Sequence, residues 1–107
     1  MVFFVNTDIT IYKHYIENKI DKYKRIYISQ ANWQTKRNSS ISDKGVIIKD
    51  STLIFIDSIN EVLEYGDIIV KGKCDLDITK KSDLKGYNTI TVMSYIPFPT
   101  HIEIEGV

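Results

Sequence analysis

The amino-acid sequence predicts a mainly β fold, a small barrel or sandwich of six to eight short strands with at most one or two helical turns. Three observations carry that expectation. Isoleucine occurs nineteen times, and with valine and threonine the β-branched residues number 34, against one alanine (Ala31) and four leucines. Branching at Cβ restricts χ1 in a helix and suits a pleated surface. Short runs alternate polar and apolar side chains with a period of two, the mark of a half-buried strand. Only two brief stretches carry helical spacing or composition.

The elements follow in order. Asp8-Ile9-Thr10-Ile11-Tyr12 alternates, with Ile9 and Ile11 turned inward. Residues 23–30 repeat the device: Ile26 and Ile28 share one face, Tyr23, Arg25 and Tyr27 the other, and the polar Glu17-Asn18-Lys19 joins the two runs as a hairpin turn. From 34 to 44 the chain has almost no apolar content and many turn formers, which predicts a long exposed loop. Loops of that length usually serve a function, so it is a candidate contact arm. A strand at Gly45–Lys49 is followed by Ser51–Ile56, where Leu53 and Phe55 oppose Ile54 and Ile56; apolar residues on both faces predict a strand covered on both sides. Ile59–Tyr65 reads as a helical turn or bent connection closing at Gly66-Asp67. Ile68–Val70 and Asp75–Ile78 read as two strands around a bend or bulge at Lys71-Gly72-Lys73, and Thr79–Leu84 as one helical turn. Thr89–Ile96 is a strand stopped by Pro97 and Pro99, and Ile102–Glu105 alternates once more.

Length and composition bound the function. A chain of 107 residues without repeats or linker-like stretches reads as one domain over 1–107. A chain of this size exposes much of its surface, so burial against a partner would add to a modest core. Fourteen basic and fourteen acidic side chains cancel, which argues against a dedicated nucleic-acid binder and suits protein partners. A single cysteine, Cys74, rules out an intramolecular disulfide and fits synthesis in a cytosol. The opening Val2-Phe3-Phe4-Val5 lacks the basic flank and length of a signal sequence, and no run approaches a membrane-spanning helix.

The residues that could carry chemistry each have a simpler reading. Cys74 lies near Lys71 and Lys73 but in no nucleophile motif, so it reads as structural. His101, Glu103 and Glu105 fall on one strand face, a geometry open to a divalent metal, yet bare alternation on the solvent face of an edge strand explains them. His14 has no partner at metal-ligand spacing, and Asp75 and Asp77 read as exposed charges rather than an acid/base pair. The isolated glycines form no phosphate-binding loop. No cofactor and no metal is expected, and no enzymatic activity. Tyr12, Tyr15, Tyr23, Tyr27 and Trp33 interleave with Lys13, Lys22, Lys24 and Arg25, which suits either stacking on single-stranded nucleic acid or aromatic anchors at a protein interface. The balanced charge favours the interface.

Several blocks in order, Asn6–Tyr12, Asn32-Trp33-Gln34, Ser42–Gly45, Asp50–Ile56, Gly66–Gly72, Thr91–Ser94 and His101–Gly106, resemble a family of small minor structural proteins from the head–tail junction of tailed bacteriophages, of head-completion or stopper type. The resemblance spans nearly the whole chain, while the segment between Ile56 and Gly66 is shorter here than in that family. It implies a homo-oligomeric ring around the DNA channel, below portal and adaptor proteins and above the tail terminator, with DNA passing through without sequence recognition and no membrane involved. On that reading the protein is made in the host cytoplasm and ends in the virion. The 34–44 loop, through Lys36, Arg37, Ser39, Ser40 and Lys44, meets DNA phosphate or acidic partner residues. A tail terminator or other tail subunit, and a small oligonucleotide-binding barrel, are the alternative expectations.

Overall fold

The computed structural model describes residues 4–42, 45–59 and 61–107, without the side chains of 36–50. Six antiparallel strands form a closed barrel: β1 (Thr7–Glu17), β2 (Ile20–Ser42), β3 (Gly45–Ile56), β4 (Ile68–Lys71), β5 (Thr89–Pro97) and β6 (Ile102–Gly106). Around it the order is β1-β2-β3-β6-β5-β4, with β4 returning to β1. The expected fold class is the observed one.

Two strands do the closing. The first part of β2 pairs with β1 up to Ala31, and from Asn32 onward β2 pairs with β3 instead. Likewise β5 pairs with β4 at Thr89–Thr91 and with β6 from Val92. Register shifts mark both corners, one opposite Thr7/Ile9 and one at Val92/Ser94. Extra residues at such bulges bend a strand and increase its twist, which lets it serve two sheets that pack across each other. Gly106 allows the second corner to close: a Cβ there would lie 2.5 Å from the Thr91 carbonyl oxygen and 2.7 Å from Ile90 Cδ1.

The period-two pattern fills the barrel. Ile9 and Ile11, Ala31 and Trp33, Ile54 and Ile56, Ile69, Ile90 and Val92, and Ile102 and Ile104 form the interior, with Leu63 and Ile59 from the β3–β4 connection against it. Among its described residues that connection is bent and contains no helix. Leu53 and Phe55 are half-buried on the outer side, so β3 is covered fully on one face only.

A second, smaller cluster lies outside the barrel. Tyr12, Ile68 and Val70 point outward from β1 and β4 and are covered by Cys74, Ile78 and Leu84. Gly72 bends the chain off the sheet at φ +93°, and residues 73–80 then run over it without strand structure, so the strand expected at Asp75–Ile78 is absent. The expected helical turn is present, as a 3₁₀ turn at Lys81–Leu84.

The composition-based loop at 34–44 is corrected as well. Residues up to Ser42 continue β2 and pair with β3, Gln34 with Leu53 through Ser42 with Gly45. Backbone pairing across a hairpin is indifferent to polar side chains, so turn-forming composition alone does not exclude a strand. Asp43 and Lys44 lie outside the described residues.

Candidate interaction surfaces

Two hairpins extend past their neighbours in the barrel. β4 reaches β1 only over Ile9–Tyr12, leaving Lys13–Glu17 and their partners Ile20–Lys24 as a two-stranded arm. β6 reaches β3 only over Thr52–Ile56, so Lys36–Ser42 and Gly45–Ser51 make a second ribbon. The Cα radius of gyration is 14.9 Å, against about 13 Å for a compact domain of about 100 residues. Asn18 (φ 51°) and Lys19 (φ 62°) form the two-residue turn of the first arm. Left-handed backbone at both positions matches the twist of the flanking strands, and asparagine tolerates it well. At the tip Ile16 is 67% exposed and Ile20 59%.

The five aromatics proposed as interface anchors separate by face. Trp33 faces the barrel interior and Tyr12 the covered outer cluster, at 7% and 1% exposure, so neither is a surface anchor in the folded chain. Tyr23 packs half-buried against the same outer cluster, edge-on to His14. Tyr15 and Tyr27 remain open, Tyr15 on the arm and Tyr27 donating to Asp8 Oδ2 at 2.7 Å, a bond that raises the Tyr27 pKa. The burial of Tyr12 and Trp33 carries no local signal: the layer over Tyr12 comes from a segment 62 residues downstream.

That layer is latched by polar atoms. Thr10 Oγ1 donates to the Gly72 carbonyl and accepts from the Cys74 amide, each at 2.9 Å. Tyr12 Oη donates to the Leu76 carbonyl at 2.7 Å and lies 3.1 Å from Cys74 Sγ. Burial, then the contact with Cys74, pushes the Tyr12 phenol well above its ordinary pKa. Arg25 donates to the Asp75 carbonyl and, at 3.0 Å, to Asp77 Oδ1. Asp75 and Asp77 are thus exposed on this layer, and Cys74 is a buried free thiol.

Buried Asp67 ties the arm's base to the β3–β4 connection. Its carboxylate accepts from the amides of His14 (3.0 Å) and Glu64 (2.8 Å), with Lys13 Nζ 3.6 Å away. Beside the arm an open cleft of about 480 Å³ is lined by Lys24, Arg25, Ile26, Ile28, Ser58, Ile59 and Glu61. Lys24 and Glu61 face each other across it, and this pairing lowers the Glu61 pKa. Among the described residues no hydrogen bond joins Ser58, the hydroxyl in this lining, to Lys24 or Glu61.

Glu103 and Glu105 share the outer face of β6, as alternation predicts, but β6 lies between β3 and β5 and is not an edge. His101 stacks on Phe98 with centroids 4.9 Å apart and also meets Phe55. Among the described residues no three His, Cys, Asp or Glu side chains are grouped to hold a metal, and no helix is long and apolar enough to cross a membrane. Of the loop residues expected to meet DNA or a partner, Lys36, Arg37, Ser39 and Ser40 lie on the β2 ribbon, their side chains outside the described set, and Lys44 is outside it altogether.

The family model of DUF6751, a family of unknown function, matches residues 4–107, and the chain belongs to that family. No curated protein and no solved structure matches it.

Proposed function

We propose that this member of DUF6751 is a non-enzymatic structural component of a tailed bacteriophage particle, assembling with copies of itself into a stopper-like ring around the DNA channel at the head–tail junction. The phage placement is supported by the ordered sequence blocks described above. Assembly is supported by one observation in particular: the β1–β2 arm leaves Tyr15, Ile16 and Ile20 in solvent although the barrel interior is filled. Exposed apolar side chains on an extending hairpin gain roughly 25 cal/mol for each Å² that a partner covers. A ring repeats one heterologous contact until it closes, so each subunit needs two different patches. An arm and a barrel wall meet that requirement.

A nucleic-acid stacking platform has less support, because Tyr12 and Trp33 are buried and Tyr23 is packed. Stacking proteins keep such rings open to bases.

Native mass measurement of the protein mixed with the portal assembly of its own virion tests the proposal. The expected result is a cyclic oligomer of this chain bound to the portal. A strictly monomeric species that never joins the portal contradicts it.

A further inference from the structure

The balanced charge of the chain conceals a separation across the barrel. The sheet of β1, β4 and the first part of β2 is covered on its outside by residues 73–85, and that layer carries four exposed lysines, Lys73, Lys80, Lys81 and Lys85. None is in an ion pair with a carboxylate among the described residues; Lys73 Nζ lies over the Tyr27 ring and Lys81 Nζ bonds Thr91 Oγ1. Of the three aspartates in the layer, Asp77 is paired with Arg25. The others, Asp75 and Asp83, leave a surplus of two positive charges from four lysines against two carboxylates. Asp83 is itself committed to capping the 3₁₀ turn, accepting from the Thr79 amide at 3.0 Å.

The opposite wall, made by the second part of β2 with β3, β6 and β5, has no described element over its outer face. Glu103 and Glu105 stand there on β6, in register with Phe55 and Leu53 on one side and Ile96 and Ser94 on the other. Neither glutamate forms an ion pair among the described residues. Ile96 is 46% exposed and Phe98, beyond the strand end, 42%. The β5–β6 part of that wall therefore combines exposed apolar groups with two carboxylates, while the layer at 73–85 is basic and also exposes Leu76.

We propose that the Glu103/Glu105 face of one copy docks the lysine layer at 73–85 of a second copy. This rests on the ring reading and gives the barrel wall of that reading a partner surface, beside the arm. Because the acidic and basic surfaces lie on opposite sides of one barrel, the contact is heterologous and repeats from copy to copy. Like surfaces repel, which disfavours a face-to-face dimer, and complementary potentials speed encounter and fix register.

The test uses two variants of the full chain, E103K/E105K and K73E/K85E, with sedimentation velocity over a concentration series and thermal melts to confirm folding. Each variant alone is expected to raise the midpoint concentration for self-association about tenfold or more. An equimolar mixture is expected to recover association to near the wild-type midpoint, since in an alternating chain every contact is again between opposite charges. Folded variants that each associate like the wild type overturn the proposal and leave the ring intact. Loss of association that mixing does not restore overturns it too. A wild-type chain that neither self-associates nor joins the portal removes the ring reading, and this contact with it.

Discussion

Thr10 and Tyr12 turn two β1 side chains into anchors for a segment that has no strand of its own. Each supplies a hydroxyl to backbone groups of residues 72–76 that would otherwise lose their partners under the covering layer. Tyr12→Phe keeps the ring and removes the bond to the Leu76 carbonyl, so unfolding in denaturant should show a loss of about 1 kcal/mol with an unchanged m-value. Gly106 sets a harder limit. The atom that an added Cβ meets first belongs to the Thr91 backbone, and backbone cannot swing aside as a long side chain can. Gly106→Ala should lower the melting temperature by several degrees, roughly the effect of 1–3 kcal/mol from overpacking in a domain this small. A melt unchanged from the wild type would show that the β5 corner has slack.

At the scale of elements, the β1–β2 hairpin and the 3₁₀ turn each give a measurable consequence. Lys19 occupies left-handed backbone where glycine is at ease, so Lys19→Gly should stabilise the chain by about 0.5–1 kcal/mol in the same denaturant titration. Asp83 has its pKa lowered, first by the Thr79 amide. A carboxylate with a depressed folded-state pKa contributes stability that is present above its unfolded value and lost as pH falls through the folded value. Asp83→Asn should therefore flatten the acid end of the stability profile and leave it nearly unchanged near pH 7, apart from the weakened cap.

These elements were legible in the sequence to different degrees. Alternation located Ile9, Ile11, Ile102 and Ile104 inside, because a pleated strand fixes which face each residue takes, whereas both faces of 51–56 are apolar and the pattern does not tell the interior Ile54 and Ile56 from Leu53 and Phe55. The hairpin at Asn18 and the turn at Lys81–Leu84 were legible from polar, turn-forming residues. The strand course of 34–42 was not: Thr35, Asn38, Ser39 and Ser40 read as loop, whereas the β2–β3 ribbon is defined by main-chain pairing outside the core. Nor was the covering layer, since its irregular backbone is held by single hydroxyls on β1 rather than by any periodic pattern. Of the candidate aromatics, Tyr15 and Tyr27 are exposed, and alternation with Ile26 and Ile28 is enough to read Tyr27 so. It does not show that Tyr12 and Trp33 are buried, since aromatic composition alone does not tell which face a distant segment covers.

The whole molecule is a barrel closed by two bent strands, with its interior filled, one outer wall covered from within the chain and the other left open. An extended arm, with a lysine layer at 73–85 and a glutamate pair on β6, gives that body a direction, which a ring component needs and a symmetric dimer does not. In the proposed ring, other copies cover the surfaces that this chain leaves exposed. Hydrogen exchange of backbone amides, followed below and above the concentration at which the protein self-associates, tests it most directly. Amides of the arm at 20–24, of the open wall at 94–96 and 103–105 and of the covering layer at 73–85 should exchange more slowly in the assembled protein, while Ile9–Ile11 in the barrel stay as protected as before. Protection that leaves the arm, the β5–β6 wall and the 73–85 layer unchanged would contradict that expectation.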